Sequence, residues 1–291
     1  MQVMIRHGVD VDAPDSNGCT ALHSASIGDK VGAIDTLVEA GANINVQGGK
    51  YDDARSTPLH MASKKGSSEA ALSLVKHGAD VPRFKGYERY SALRLAACSG
   101  HIAIVRTLLA AGANVNLRPA ALCASALDSA CSGGHADVVT TLIQHGAIVD
   151  ATDSRGRTAL FNVSRGNTVA VIDKLVAARA SVNGIVDPSG RTPLYHACLD
   201  GCPGAIVSML RHGARVDVKA NNGETPLHAA SASGCSEGIH ALVQHGADIN
   251  TMTAEGSTTL SLAAENNWDD AMNVLLDAGA DVNAPASVAD E

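Results

Sequence analysis

A phrase of fixed form returns eight times along this chain: threonine or serine, a small residue or proline, leucine, then a short apolar stretch. Its leucines are Leu22, Leu59, Leu93, Leu127, Leu160, Leu194, Leu227 and Leu260, spaced 37, 34, 34, 33, 34, 33 and 33 residues apart. A second phrase, G-A-x-V/I-N/D, closes each unit at Gly41, Gly78, Gly112, Gly146, Gly213, Gly246 and Gly279. Relaxed copies stand at Gly8 and Arg179, and Pro82 breaks the last position once. A unit this short cannot bury its apolar side alone, so the chain must fold by stacking each unit on its neighbours.

The unit from Asp52 to Pro82 shows how one copy folds. Thr57 is placed to cap a helix whose first residue is Pro58, where the missing amide hydrogen has no helical partner to lose. Leu59, Met61 and Ala62 face a neighbour, and Gly66 stops the helix. A second helix runs from Ser68 to His77, with Leu72, Leu74 and Val75 apolar and Gly78 supplying the left-handed residue that ends it.

The T-P-L-H at Thr57 to His60 and at Thr225 to His228, with a period near 33, resembles the ankyrin repeat, and the resemblance covers nearly the whole chain. It implies an all-α repeat solenoid, an ankyrin array of helix-turn-helix units joined by hairpin-like loops. The expected division is an N-terminal half repeat and loop at 1–19, eight repeats at 20–283 and a short tail at 284–291. The family uses the histidine of its leading phrase to tie one loop to the next, which assigns that role to His23, His60 and His228. His77, His145, His212 and His245 precede the closing glycines, where a polar or cationic side chain suits a helix C-terminus.

Composition agrees. Two phenylalanines, four tyrosines and one tryptophan are few for a globular enzyme and suit a wide, shallow core of Ala, Leu and Val. Seven cysteines, odd in number and without C-x-x-C spacing, point to free thiols in a reducing compartment, the cytoplasm first and the nucleus as the alternative. Cys198 and Cys202 read as buried thiols at the end of a first helix and its turn. No apolar run reaches the ~18 residues of a membrane span and the N-terminus does not resemble a signal peptide, which excludes membrane insertion at this level and discounts the glycosylation pattern at Asn162. Phosphate-loop, dinucleotide, H-E-x-x-H and G-x-S-x-G motifs are missing from the sequence. No enzyme, cofactor or metal site is expected.

Departures from the repeat carry the functional expectation. The loop from Asn45 to Asp52 is about four residues longer than usual, and Val81 to Tyr90 places Phe84, Tyr87 and Tyr90 among Arg83, Lys85 and Arg89. Aromatic and arginine side chains anchor interfaces, although local packing explains such a loop equally well. Charge is segregated: residues 1–53 carry three Lys or Arg against eight Asp or Glu, residues 54–219 nineteen against eleven, and residues 220–291 none against eleven. Arg55, Lys64, Lys65, Arg89, Arg155, Arg157, Arg165 and Arg191 fall where the family exposes its loop tips and inner helix ends, on its concave surface. The expectation is a non-enzymatic module that binds another protein there, with an acidic segment as the natural complement; overall negative charge weighs against nucleic acid. The alternative is the regulatory or targeting portion of a larger enzyme, channel or signalling protein, suggested by Met4 to Gly8, which align with a second helix lacking its first. The polar Asn266, Asn267, Asp269, Asp270, Asn273 and Asp277 make the last helix pair look like a cap.

Overall fold

The structure, a computed structural model, describes residues 10–49, 56–81, 91–118, 124–166, 168–184 and 187–284. The half repeat at Met4 to Gly8 and the site candidates Arg55, Phe84, Tyr87, Arg89 and Tyr90 lie outside the described residues. The chain divides into two units, Met1–Ile148 and Val149–Glu291.

The first unit contains α1 (Ala21–Ile27), α2 (Val31–Glu39), α3 (Pro58–Lys65), α4 (Ser68–Lys76), α5 (Ala92–Cys98), α6 (Ile102–Ala110), α7 (Ala126–Ser132) and α8 (Ala136–Gln144). The second contains α9 (Ala159–Ser164), α10 (Val169–Ala177), α11 (Pro193–Leu199), α12 (Pro203–Arg211), α13 (Pro226–Ser233), α14 (Ser236–Gln244), α15 (Thr259–Glu265) and α16 (Asp269–Asp277). Within each unit odd-numbered helices pack on odd and even on even, giving a layer of first helices and a layer of second helices. This is the all-α stack that the repeat predicts.

The leading leucines form the spine of the first layer. Leu22, Leu59, Leu93, Leu127, Leu160, Leu194 and Leu227 are all buried, each contributing about 1.5–3 kcal/mol. Three residues on, Ala25, Ala62, Ala96, Ala130, Ala197, Ala230 and Ala263 are buried as well, and their small side chains bring neighbouring helices into close contact. Ile34, Leu37, Leu74, Leu108, Leu142, Ile172, Leu175 and Ile206 do the same work in the second layer.

Thr20, Thr57, Ser91, Ser125, Thr158, Thr192, Thr225 and Thr258 each hold the extended backbone of an N-cap. In the T-x-L-H copies the histidine completes the cap: the amide of Thr20 donates to Nδ1 of His23 at 3.1 Å, and that of Thr225 to Nδ1 of His228 at 3.2 Å. An amide can only donate, so Nδ1 carries no proton and the remaining hydrogen of a neutral ring sits on Nε2. Nε2 of His23 accordingly donates to the carbonyl of Ser56 in the next repeat at 2.9 Å. The loop tie implied by the family resemblance is therefore present at His23.

The closing phrase is explained by a second set of ties. Its final Asn or Asp accepts the backbone amide of the following repeat's G-A-x: Asp12 from Asn43, Asn45 from Asp80, Asn116 from Ile148, Asp150 from Ser181, Asn183 from Arg215 and Asn250 from Asp281, all within 3.2 Å. Asp217 departs from this pattern, because Arg215 holds both of its carboxylate oxygens at 3.1 Å. The glycines that end the second helices have φ between 81° and 94°, and Arg179 takes the same role at φ 65°. Its amide bonds Val176 at 2.8 Å and that of Ala180 bonds Leu175 at 2.9 Å, the pattern that Gly213 and Ala214 repeat.

The histidines before the closing glycines split into two kinds. His145 and His245 turn Nδ1 back onto the carbonyls of Thr141 and Ala241 at 2.9 and 2.8 Å, as helix C-caps do. His77 and His212 instead reach the previous repeat. Asp35 gathers Ser73 Oγ and His77 Nε2, both at 2.9 Å, and Asp173 gathers Ser208 Oγ at 2.8 Å and His212 Nε2 at 3.0 Å. Bonds from His77 and then Ser73 hold the Asp35 carboxyl below its usual range, and Ser208 and then His212 do so for Asp173. Cys198 and Cys202 are buried.

Candidate functional site

The hairpin loops are built from an aspartate that folds the chain onto itself. Oδ1 of Asp153 accepts the amides of Arg155 and Arg157 at 2.8 and 3.0 Å, and Oδ1 of Asp187 those of Ser189 and Arg191, both at 2.9 Å. The second carboxylate oxygen is left to face the first helices. In the fifth repeat Arg157 takes it, Nε and Nη2 lying 2.9 and 2.7 Å from Asp153 Oδ2. In the sixth, Asp187 Oδ2 meets Nε2 of His196 at 3.2 Å.

Around His196 the second unit assembles a mixed polar and aromatic cluster. The imidazole lies 4.3 Å from the ring of Phe161, centroid to centroid, and Arg191 sits over Tyr195 with its guanidinium carbon 5.0 Å from the ring centre. The Tyr195 hydroxyl donates to Glu224 in the next hairpin, and Arg191 Nη2 stands 3.8 Å from the same carboxylate. Burial lowers the pKa of His196, opposed by Asp187. Burial works against the charged Asp187, yet the amide of Arg191, His196 and the amide of Ser189 hold it below its usual range. The Tyr195 phenol is pushed up by burial and by Glu224. Glu224 is lowered overall, burial being outweighed by Tyr195, Asn222 and Arg191.

These contacts re-sort the arginines singled out from the sequence. Arg165 is exposed, but its Nε donates to Asp200 at 2.6 Å. Arg157, Arg165 and Arg191 are thus each matched to a carboxylate of the chain itself, so this stretch is close to charge-balanced. Arg155 is exposed at its hairpin tip, and only its amide is tied to Asp153. Lys64 and Lys65 are exposed in the last turn of α3, where cations face the negative end of the helix. Asp187, His196, Tyr195, Asp200 and Glu224 were not among the candidates. The one legible signal was the fourth position of the leading phrase, Tyr195 where three other copies have His23, His60 and His228.

Models of ankyrin repeats in three copies match residues 47–119, 162–253 and 204–286, a many-copy model matches 127–176, and a single-repeat model matches 17–49. The chain belongs to the ankyrin-repeat family. This ankyrin array is also similar to larger proteins. It is 27% identical over 220 residues, 75% of the chain, to the Danio rerio protein named "Putative palmitoyltransferase ZDHHC13", of which the match covers 28%. Palmitoyltransferase ZDHHC17 of Homo sapiens is 34% identical over 83 residues, 28% of this chain and 13% of that protein. Palmitoyltransferase Hip14 of Drosophila melanogaster is 35% identical over 92 residues, 32% of this chain and 14% of that protein. The ankyrin array therefore spans between about an eighth and somewhat over a quarter of these curated relatives. No helix among the described residues is long and apolar enough to cross a membrane, and among them no three His, Cys, Asp or Glu side chains gather as metal ligands.

Proposed function

We propose that the chain is a non-enzymatic protein-binding module, an adaptor surface whose partner lies along the hairpins and first helices. The observation that carries this reading is the division of labour among the side chains of that face. Leu, Ala and the capping Thr hold the stack, whereas Lys65 in the first unit and Arg155 in the second are exposed, and the second unit adds the Arg191, Tyr195 and Glu224 cluster. Arginine and tyrosine held in place by neighbours lose little entropy on binding, which suits them as interface anchors. An acidic segment is the complement of Lys65 and Arg155, while Arg157, Arg165 and Arg191 order the surface and meet polar groups of the partner. The test is capture by the immobilised chain with Lys65→Glu and Arg155→Glu against the parent. Loss of bound protein at an unchanged melting temperature supports the reading; an unchanged set of bound proteins refutes it. Charge reversal at Arg157 or Arg165 is a poor test, because it sets glutamate against Asp153 or Asp200 and perturbs the fold as well.

A second reading is favoured by the relatives: three palmitoyltransferases match over at most 28% of their length. On this reading the array is the regulatory or targeting portion of a larger enzyme and selects the proteins that reach it. Sequencing the transcript on both sides of this coding region distinguishes the two.

A further inference from the structure

The second-helix layer of the second unit carries a feature that neither stacking nor the hairpin face uses. Along α12 the sequence Pro203-Gly204-Ala205-Ile206-Val207 leaves a hollow of about 270 Å³, its apolar part lined by Val169, Pro203, Gly204 and Val207 and its polar part by Asp173, Ser208, Arg211 and Glu237. One repeat further on, α14 and α16 line a second hollow of about 300 Å³ with Val243, Val274 and Ala278 and with the polar His240, Gln244 and Asp277. The first arises from a local loss of polar side chains. Four other repeats place a carboxylate at the position of Gly204, namely Glu69, Asp137, Glu237 and Asp270. The position of Val207 is filled in the other three repeats of this unit by Asp173, His240 and Asn273. Val169 at the edge is 37% exposed, so the apolar surface opens to solvent.

Charge says what fits there. Glu237 edges the first hollow and Asp277 the second, facing Arg211 and the imidazole of His240, while Asp173 is already bonded to Ser208 and His212. Beyond Lys219 the chain holds eleven acidic residues and no Lys or Arg, so α14 and α16 present carboxylates without a lysine or arginine of their own. Two hollows on successive repeats, each with a valine-lined part and a carboxylate at its edge, are complementary to a segment that alternates apolar and cationic side chains. We propose that this layer is a docking face for a basic amphipathic segment of a partner protein. One apolar side chain enters each hollow, and Lys or Arg meets Glu237 and Asp277. The surface is separate from the hairpin face, and a partner could occupy each.

A fluorescent peptide of alternating Leu and Lys, with the same peptide carrying Glu for Lys as control, tests this by anisotropy against the full chain. Saturable binding of the Lys peptide and none of the Glu peptide is expected. Val207→Glu and Val243→Glu separate the two contributions, since both add negative charge while filling the hollows with a polar group. If the hollows take apolar side chains, each variant weakens binding at least about tenfold; if attraction is merely ionic, each strengthens it, and the proposal falls. Hydrogen exchange on the parent gives an answer free of variants. Protection confined to α10, α12, α14 and α16 supports the site, and protection on the first helices or hairpins overturns it.

Discussion

Arg179→Gly should make the protein more stable, which is unusual for the removal of a long side chain. Arg179 occupies φ 65°, where seven sibling repeats place glycine. A residue with a Cβ in the left-handed region costs about 1–2 kcal/mol. Glycine restores part of that cost through the greater freedom of the unfolded chain, about 0.4–1 kcal/mol. The side chain is exposed, so little packing is lost. The net expectation is stabilisation by about 0.5–1 kcal/mol, a rise of about 1–4 °C in melting temperature for a chain of this size. Urea denaturation followed by circular dichroism measures it, with Gly213→Ala as the mirror control. That variant puts a Cβ at φ 81° and should lose stability. An Arg179→Gly variant no more stable than the parent, or a Gly213→Ala variant unharmed, would refute the assignment of strain to this position.

Further expectations follow from the ties between repeats. Burial lowers the pKa of His23 and His228, whose Nδ1 atoms face amides, and of His196; the unfolded chain therefore takes up their protons first. Stability should be complete above about pH 6.5 and decline as pH falls below it, with a second loss at lower pH as Asp153, Asp187 and Glu224 become protonated. Equal urea midpoints at about pH 8 and about pH 5 would contradict this. Asn183→Ala removes bonds to the amide of Arg215 at 2.9 Å and the carbonyl of Gly213 at 2.8 Å and should cost about 1–2 kcal/mol. Asp217→Ala, at the same place in the next repeat, should leave the urea midpoint unchanged, because Asp217 is bonded to Arg215 instead. Among the described cysteines, Cys98 is exposed while Cys131 and Cys198 are buried with thiols pushed up by burial. Iodoacetamide with mass spectrometry should modify Cys98 in the native protein and the other two only after urea is added.

What the sequence made legible was whatever repeats. Thr57, Pro58, Gly66 and Gly78 have local jobs set by backbone geometry, and their order on the chain was enough to place them. Arg179 was legible for the same reason, since alignment with its siblings puts it in a glycine's conformation. The asparagines of the closing phrase were visible as a pattern, but their bonds to the next repeat needed the stack. The ion pairs were hidden more deeply. Arg165 meets Asp200 and Arg191 meets Glu224 across a repeat boundary, and which of several nearby carboxylates pairs with which arginine depends on helix spacing rather than on order along the chain. A count of charges over residues 54–219 therefore overstated how basic the first-helix face is where Arg157, Arg165 and Arg191 cluster. The two Asp–Ser–His clusters escaped notice because each is assembled from two repeats and appears at Asp35 and Asp173 alone among the described residues.

The central claim is that hairpins and first helices bind protein while the buried residues only hold them in place. Quantitative capture on the immobilised chain, parent against the Lys65→Glu and Arg155→Glu double variant at ~0.1 M salt, tests it most directly. The account predicts that at least one protein retained by the parent falls at least about tenfold with the variant, whose melting temperature stays that of the parent. An identical set of proteins at equal abundance would contradict it.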